Sequence, residues 1–171
     1  MPRVTIREPR PEDEPAFIAA VRASRSLHHP WTELPDTPDG FAGLVQRDAS
    51  ANDRVFLIVR AEDDALAGIA TLSQIVHGHL GSAYLGYSAF APLDGQGYMT
   101  EGLRQVLAEA FGPIGLHRVE ANVQPDNERS LALVERLGFR REGYSPRYLK
   151  IAGEWRDHVR FALLAEEFAG E

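Results

Sequence analysis

A strand that runs through a glycine-containing loop into a helix is the feature that most constrains the fold. The strand is predicted over 82–90, the loop carries Gly95-Gln96-Gly97, and an amphipathic helix is predicted over about 100–111. A helix N-terminus has unpaired N–H groups and partial positive charge, and glycine lets a ligand approach the backbone closely. The segment therefore predicts a phosphate or pyrophosphate site, although an ordinary strand-to-helix turn has the same pattern.

Two familiar nucleotide-binding motifs are excluded at this loop. It is not followed by Lys and then Ser or Thr, as a P-loop would be. It also lacks a third spaced glycine with an acidic residue about 20 positions later, which a dinucleotide-binding fingerprint requires.

The remaining periodicity predicts one α+β domain that takes in the whole chain, 1–171. The middle section reads as an antiparallel meander, and the later section alternates helices with strands. No internal repeat, low-complexity tract or linker interrupts it. Further strands are predicted over 4–7, 54–61, 66–75, 118–123, 145–151 and 155–164, and further helices over 12–25, 41–48 and 127–138.

Composition excludes several classes of function. The chain has no cysteine, so disulfides, thiolate nucleophiles and iron–sulfur clusters are ruled out. Its 18 Lys and Arg against 25 Asp and Glu give a net charge of −7, which argues against nucleic-acid binding and favours a basic partner. The pairs His28-His29 and His77-Gly78-His79 lack further ligands at suitable spacing, so no metal is predicted.

The sequence also predicts a cytoplasmic protein with no membrane association. No stretch approaches the roughly 20 apolar residues that cross a bilayer. The first residues have neither the apolar core nor the small-residue cleavage site of a signal peptide.

A set of short motifs in the second half resembles a known family. In order and spacing they are similar to the GNAT superfamily of acetyl-CoA-dependent N-acetyltransferases, and within it to the ribosomal-protein alanine and serine N-acetyltransferases of the RimJ/RimL type. The likeness is dense over 84–164 and looser over 4–75. The motifs are Tyr98-Met99-Thr100-Glu101-Gly102-Leu103, His117-Arg118-Val119-Glu120-Ala121-Asn122, Asn127-Glu128-Arg129-Ser130, Leu137-Gly138-Phe139, Glu142-Gly143-Tyr144 and Gly153-Glu154-Trp155-Arg156-Asp157-His158.

The resemblance implies a fold and a coenzyme site. The fold is a central, mostly antiparallel sheet with flanking helices, in which strands 4 and 5 splay apart. The pantetheine arm of acetyl-CoA lies between them, against the backbone of the strand that ends at Ala89, Phe90 and Ala91. Asn127 matches a coenzyme-binding asparagine, and it also suits a plain helix cap. Asp94 departs from the family, which usually has Gln or Arg there. The pyrophosphate contacts are the backbone N–H groups of Gly95, Gln96, Gly97, Tyr98, Met99 and Thr100.

Acetyl transfer to an amine needs a proton acceptor, a donor to the oxyanion and a proton for the departing thiolate. The resemblance implies that the acceptor is a carboxylate on about the strand predicted over 118–123, which makes Glu120 the first candidate. Asn122, on the same strand face, is the alternative position that aligns with that carboxylate. Glu120 is equally compatible with an exposed strand position that has no catalytic role. Val134 replaces the family's usual tyrosine acid, while Ser130 matches a serine of the RimL-like branch that contacts the coenzyme sulfur. Ser130 also suits a solvated position in a first helical turn.

Three functions stay open at this point. The first is acetylation of a protein N-terminus, with a ribosomal protein as acceptor, and the second is acetylation of a small amine such as an antibiotic, polyamine or amino acid. The third is a non-catalytic acyl-CoA-binding domain. Acceptor specificity is expected from 28–48 and the last hairpin, where Trp31, Tyr148 and Trp155 form groove walls or simple packing. Either a monomer or a homodimer is compatible with the sequence.

Overall fold

The computed structural model describes residues 1–169, which form a mixed sheet of seven strands with helices on both faces. The order across the sheet is β1-β2-β3-β4-β5-β7-β6, and every neighbouring pair is antiparallel except β4–β5. The predicted mostly antiparallel sheet is therefore confirmed. The strands are β1 (Val4–Arg7), β2 (Arg54–Arg60), β3 (Leu66–Val76), β4 (Ser82–Ala89), β5 (Arg118–Val123), β6 (Arg140–Ile151) and β7 (Glu154–Leu164).

The helices differ from prediction near the N-terminus. The single helix predicted over 12–25 is a short 3-10 turn followed by two helices, with Ser24 outside helical geometry between them. The helix predicted over 41–48 begins at Pro38, because Thr37 caps it and proline is well tolerated in a first turn. The helices are α1 (Glu14–Ala23), α2 (Arg25–His28), α3 (Pro38–Asp48), α4 (Tyr98–Phe111) and α5 (Glu128–Arg136).

Strand β6 is longer than predicted. It begins at Arg140 rather than 145, since its first residues pair with β7, where Arg140 lies opposite Ala162. Two register shifts interrupt this pairing, and Arg147 has a positive φ of 48° at the second. The polar residues of 140–144 hid the start of this strand, because their pattern suits an exposed edge rather than a buried strand.

The splay between β4 and β5 is present. The two strands pair only over Ser82–Tyr84 and Arg118–Glu120, and both continue beyond that point. The Gly81 carbonyl faces β5, and the Phe90 N–H faces Ala67 of β3. By alternation, the N–H groups of β4 that follow in the odd-numbered positions 85, 87 and 89 face the opening.

Two apolar clusters hold the helices against the sheet. On one face α4 buries Leu103 and Val106 completely. On the other face Phe17 of α1 contacts Phe41 of α3 and Phe90, with ring centroids 5.0 and 5.7 Å away. None of the helices within residues 1–169 has the length and apolar character that a membrane span needs.

The packing of α4 gives a test on stability. A Cβ atom added at Gly102 would lie 2.6 Å from Cγ2 of Ile58, a fully buried residue of β2. We expect Gly102→Ala to lower the free energy of unfolding by about 1–3 kcal/mol, because a well-packed core has no room for the added methyl group. Urea denaturation measures this change.

Gly43 is the matched control, since it is also a helical glycine but has no atom within 4 Å of its added Cβ. Gly43→Ala should raise the free energy of unfolding by about 0.5–1 kcal/mol through helix propensity. Equal gains from both substitutions would contradict the close contact of α4 with β2.

Candidate active site

Two adjoining clefts meet at the opening between β4 and β5. The first cleft, about 570 Å³, lies between the loop 91–97 and α5. The second cleft, about 430 Å³, lies between β4, the end of β5 and the β6–β7 hairpin. The residues that line both clefts, and so mark their junction, are Trp31, Thr32, Tyr87, Asn127 and Ser130.

The loop predicted to bind an anion borders the first cleft. Gly95 and Gly97 have φ values of +73° and +86°, which glycine adopts without strain, and α4 begins directly afterwards at Tyr98. Gly95, Gly97, Met99 and Thr100 line the cleft. The glycines therefore bring the first turn of α4 to the wall of the cleft.

The other two predicted loop residues direct their side chains away. Gln96 donates from Nε2 to the Pro92 carbonyl at 3.0 Å. The Tyr98 ring lies under the Arg3 guanidinium, 4.8 Å from its centroid. Only the backbone of these two residues is available for an anion.

Two arginines of α5 line the first cleft, and the sequence interpretation missed them. Arg129 contacts Asp94 at 3.0 Å, and Arg136 donates to Thr100 Oγ1 at 3.4 Å. Their spacing of seven residues, which places both on one helix face, was an available signal. The acid at position 94 is therefore neutralised by a cation beside the loop.

Phe90 and Ala91 line neither cleft. The Phe90 ring is fully buried, and its N–H donates to the Ala67 carbonyl at 2.9 Å. The Ala91 N–H donates to Ser24 Oγ at 3.0 Å. Of the three predicted positions Ala89 alone lines the first cleft, and Tyr87, two residues before it, lines the cleft as well.

The start of α5 forms the junction of the clefts. Asn127 Oδ1 accepts the Ser130 N–H at 3.3 Å, so Asn127 is a helix cap that also faces both clefts. Ser130 Oγ lies 2.6 Å from the hydroxyl of Tyr87, a residue that the sequence analysis did not single out. Burial raises the pKa of Tyr87 to about 12, so this phenol stays protonated near neutral pH and can donate a hydrogen bond.

The two candidates on β5 have different surroundings. Asn122 lines the second cleft, and its Oδ1 is buried without a hydrogen-bond partner among the described residues. Glu120 lines neither cleft and accepts from Arg118 Nε at 2.8 Å. Arg118 also donates to Glu142 at 3.0 Å and, as the main cause, lowers the Glu142 pKa to about 2. Glu120 thus belongs to an ion-pair network, and its role as proton acceptor stays a prediction.

Two of the three aromatic residues predicted to form groove walls line the second cleft. Trp31 and Tyr148 line it, whereas Trp155 is 61% exposed and lines neither cleft. Among residues 1–169, no group of three or more His, Asp or Glu side chains has an arrangement suited to a metal ion.

Comparison with known proteins identifies the family. Residues 3–140 match the model of the acetyltransferase (GNAT) domain, so the chain belongs to this family of acetyltransferases. A probable N-acetyltransferase, YjcK of Bacillus subtilis, is 42% identical over 64% of this chain and 60% of its own length. The [ribosomal protein uS5]-alanine N-acetyltransferase of Escherichia coli is 39% identical over 63% of this chain and 55% of its own.

A solved structure extends the likeness over almost the whole fold. Mycobacterium smegmatis RimJ in complex with CoA-disulfide superposes with a TM-score of 0.88 at 31% identity, over 96% of this chain and 83% of that one. The chain therefore spans less than two thirds of the two curated relatives above and most of this structural neighbour.

Proposed function

We propose that this protein transfers the acetyl group of acetyl-CoA to the N-terminal α-amine of a protein, with a ribosomal protein as the acceptor. The observation that carries this proposal is the meeting of the two clefts at the Tyr87–Ser130 pair. One cleft has the features of an anion site and the other those of a polar groove, so two substrates can meet in one place. The relatives named above, one of which acts on ribosomal protein uS5, support the choice of acceptor.

The first cleft is the proposed coenzyme site. The backbone N–H groups at the start of α4 receive the pyrophosphate, and Arg129 and Arg136 add positive charge. The pantetheine arm then follows the unpaired edge of β4 past Ala89 toward Ser130. A free N–H of this edge is the proposed donor to the oxyanion.

The proposed reaction is a direct attack of the amine on the thioester. The chain has no cysteine and needs no covalent intermediate. In this mechanism Tyr87 donates a hydrogen bond to Ser130 Oγ, and the Ser130 hydroxyl hydrogen is then free to point at the departing sulfur. Ser130 is the proposed proton donor to the thiolate, and Tyr87 is a positioning residue that acts through it.

The second cleft favours a peptide over a polyamine. None of its lining residues is Asp or Glu, and a polyamine would need carboxylates for its several positive charges. Asn122, Tyr84 and Tyr148 instead offer an amide and two hydroxyls. These groups suit the backbone of a peptide whose N-terminal amine is the only charge to be buried.

Acceptor choice is tested by thiol release from acetyl-CoA with a panel of amines. We expect turnover with peptides that begin with Ala or Ser, and none when the α-amine is already acetylated but an internal lysine is left free. Spermidine, free amino acids and an aminoglycoside are the small-amine arms. Turnover only in those arms would replace the proposed acceptor. Calorimetric binding of acetyl-CoA without turnover on any amine would favour a non-catalytic domain.

The loop is tested by Gly97→Val, with Gly115→Val as its matched control. Both glycines have positive φ, but Gly115 lies in a distant turn with no atom within 4 Å of an added Cβ. We expect the dissociation constant of acetyl-CoA to rise at least about tenfold for Gly97→Val, which is the cost of one or two lost hydrogen bonds. Calorimetry should show unchanged affinity for Gly115→Val. Equal weakening in both would mean that backbone strain, not the cleft, is responsible.

The Tyr87–Ser130 pair is tested by a double-mutant cycle. Tyr87→Phe should lower kcat about tenfold, the effect of one lost hydrogen bond, and Ser130→Ala should lower it about a hundredfold. The double variant should be no slower than Ser130→Ala, because Tyr87 acts only through Ser130. Additive losses in kcat, or a changed dissociation constant for acetyl-CoA in Tyr87→Phe, would contradict this arrangement.

A further inference from the structure

The second cleft presents a problem of proton transfer. An N-terminal α-amine has a pKa of about 7.7–8, and its nitrogen must lose a proton before the amide is complete. No carboxylate among residues 1–169 lines this cleft, and Glu120 is hydrogen-bonded to Arg118 outside it. Another proton acceptor therefore has to come from the residues that line the cleft.

His158 is the one imidazole among these lining residues. It lies on β7 immediately before Val159, which pairs with Val123, the last residue of β5. His158 therefore lies just beyond the end of β5, on the sheet face that carries Asn122. Its side chain is only 3% exposed. Tyr148 of β6 packs against it, with ring centroids 6.1 Å apart.

Hydrogen bonding fixes which nitrogen of His158 carries the proton. Nδ1 lies 2.9 Å from the Arg156 carbonyl. A carbonyl only accepts, so Nδ1 is the donor and Nε2 of the neutral ring holds a lone pair. Nε2 has no hydrogen-bond partner among residues 1–169.

The surroundings keep the ring neutral. Burial lowers the His158 pKa below its ordinary 6.5, against smaller opposite effects of the Arg156 carbonyl and Asp157. The Asp157 carboxylate is engaged by the Tyr144 hydroxyl and by the Arg147 N–H at 2.8 Å.

The neighbouring strands add no ionised group at the ring. Tyr84 of β4 lines the same cleft, and Tyr148, as the main cause, raises the Tyr84 pKa to about 12. Position 124, which follows β5, is a neutral glutamine. His158 is thus a neutral imidazole near pH 7.

We propose that Nε2 of His158 takes the proton that the acceptor amine loses in acetyl transfer, an assignment that rests on the proposed function. As the N–C bond forms, the C–S bond breaks and sulfur leaves with its electron pair. One proton moves from the amine nitrogen to Nε2, and Ser130 gives one proton to sulfur. The imidazolium then releases its proton to solvent and Ser130 regains one from solvent, so the amide and the free thiol are the only products. The catalytic role predicted for Glu120 passes to His158.

His158→Gln in the full chain tests this role, because glutamine keeps a polar side chain but cannot act as a base. With the peptide acceptor, we expect kcat/KM to fall about a hundredfold or more. The dissociation constant of acetyl-CoA should stay within about twofold, since His158 does not line the first cleft. In the wild type, kcat/KM should fall as the pH drops through the His158 pKa, and this limb should be absent in the variant. A normal rate in a folded His158→Gln would overturn the proposal.

Two further variants separate His158 from other histidines and from Glu120. His117→Gln is the control, because this exposed histidine pairs with Glu166 and lines neither cleft, so its kinetics should match the wild type. Glu120→Gln should keep the limb below pH 6.5. Loss of that limb in Glu120→Gln would return the role to Glu120 and overturn the role of His158.

A measurement on the wild type covers the case in which His158→Gln does not fold. The pKa of His158, followed by NMR, should match the kinetic limb below 6.5, and a mismatch would overturn the proposal. These results are distinct from failure of the proposed function. If the wild type acetylates no amine, the proposed function fails; if it is active while His158→Gln is equally active, only the role of His158 fails.

Discussion

The parting of β4 from β5 is the constraint on which the rest of the site depends. Buried backbone groups have to be paired, and a sheet that opens in its middle leaves an edge without partners. The chain satisfies part of this edge itself, since His28 donates to the Ala89 carbonyl and Ser24 accepts the Ala91 N–H. What stays open lies between these contacts and the last paired residue, Tyr84, and Tyr87 in this segment lies at the junction of both clefts.

The charged side chains beside this opening are arranged to suit an anion. A net charge of −7 is unexpected beside an anion site, and a site built from backbone alone would explain it. The structure adds a second reason, because Arg129 and Arg136 stand at the loop while Asp94 is paired with Arg129. The acidic residue at the loop, Asp94, is therefore neutralised locally. The net charge of the whole chain consequently says little about the electrostatic field at the loop.

Sequence patterns predicted the parts of this protein that local physics decides. The buried strands, the glycine loop and α4 follow from periodicity and from the turn residues. Asn127 and Ser130 came instead from the family resemblance, and their roles toward the coenzyme stay predictions. The break at Ser24 could not be predicted, because Ser24 bonds Ala91, a residue 67 positions away. The start of β6 is likewise decided by its pairing with β7 rather than by its own residues.

The candidate site likewise contains contacts that local sequence could predict and contacts that only the folded chain brings together. The Tyr87–Ser130 contact joins positions 43 apart, so only the folded chain brings it together. The pairing of Glu120 with Arg118 was within reach of the sequence, since residues two apart on a strand share a face. That contact holds the Glu120 carboxylate at Arg118, and Glu120 lines neither cleft.

Pairing of the carboxylates shapes the chemistry that is left to the site. Glu120 and Asp94 near the clefts each have an arginine partner, and the lining of the second cleft has neither Asp nor Glu. In the proposed reaction a neutral amine and a neutral thioester give a neutral amide and a thiol. Groups that start neutral, the hydroxyl of Ser130 and the imidazole of His158, can move the protons without a resident negative charge beside a departing thiolate. A buried carboxylate in their place would repel that thiolate at the moment it forms, and the cost of such repulsion is largest in a cleft that excludes water.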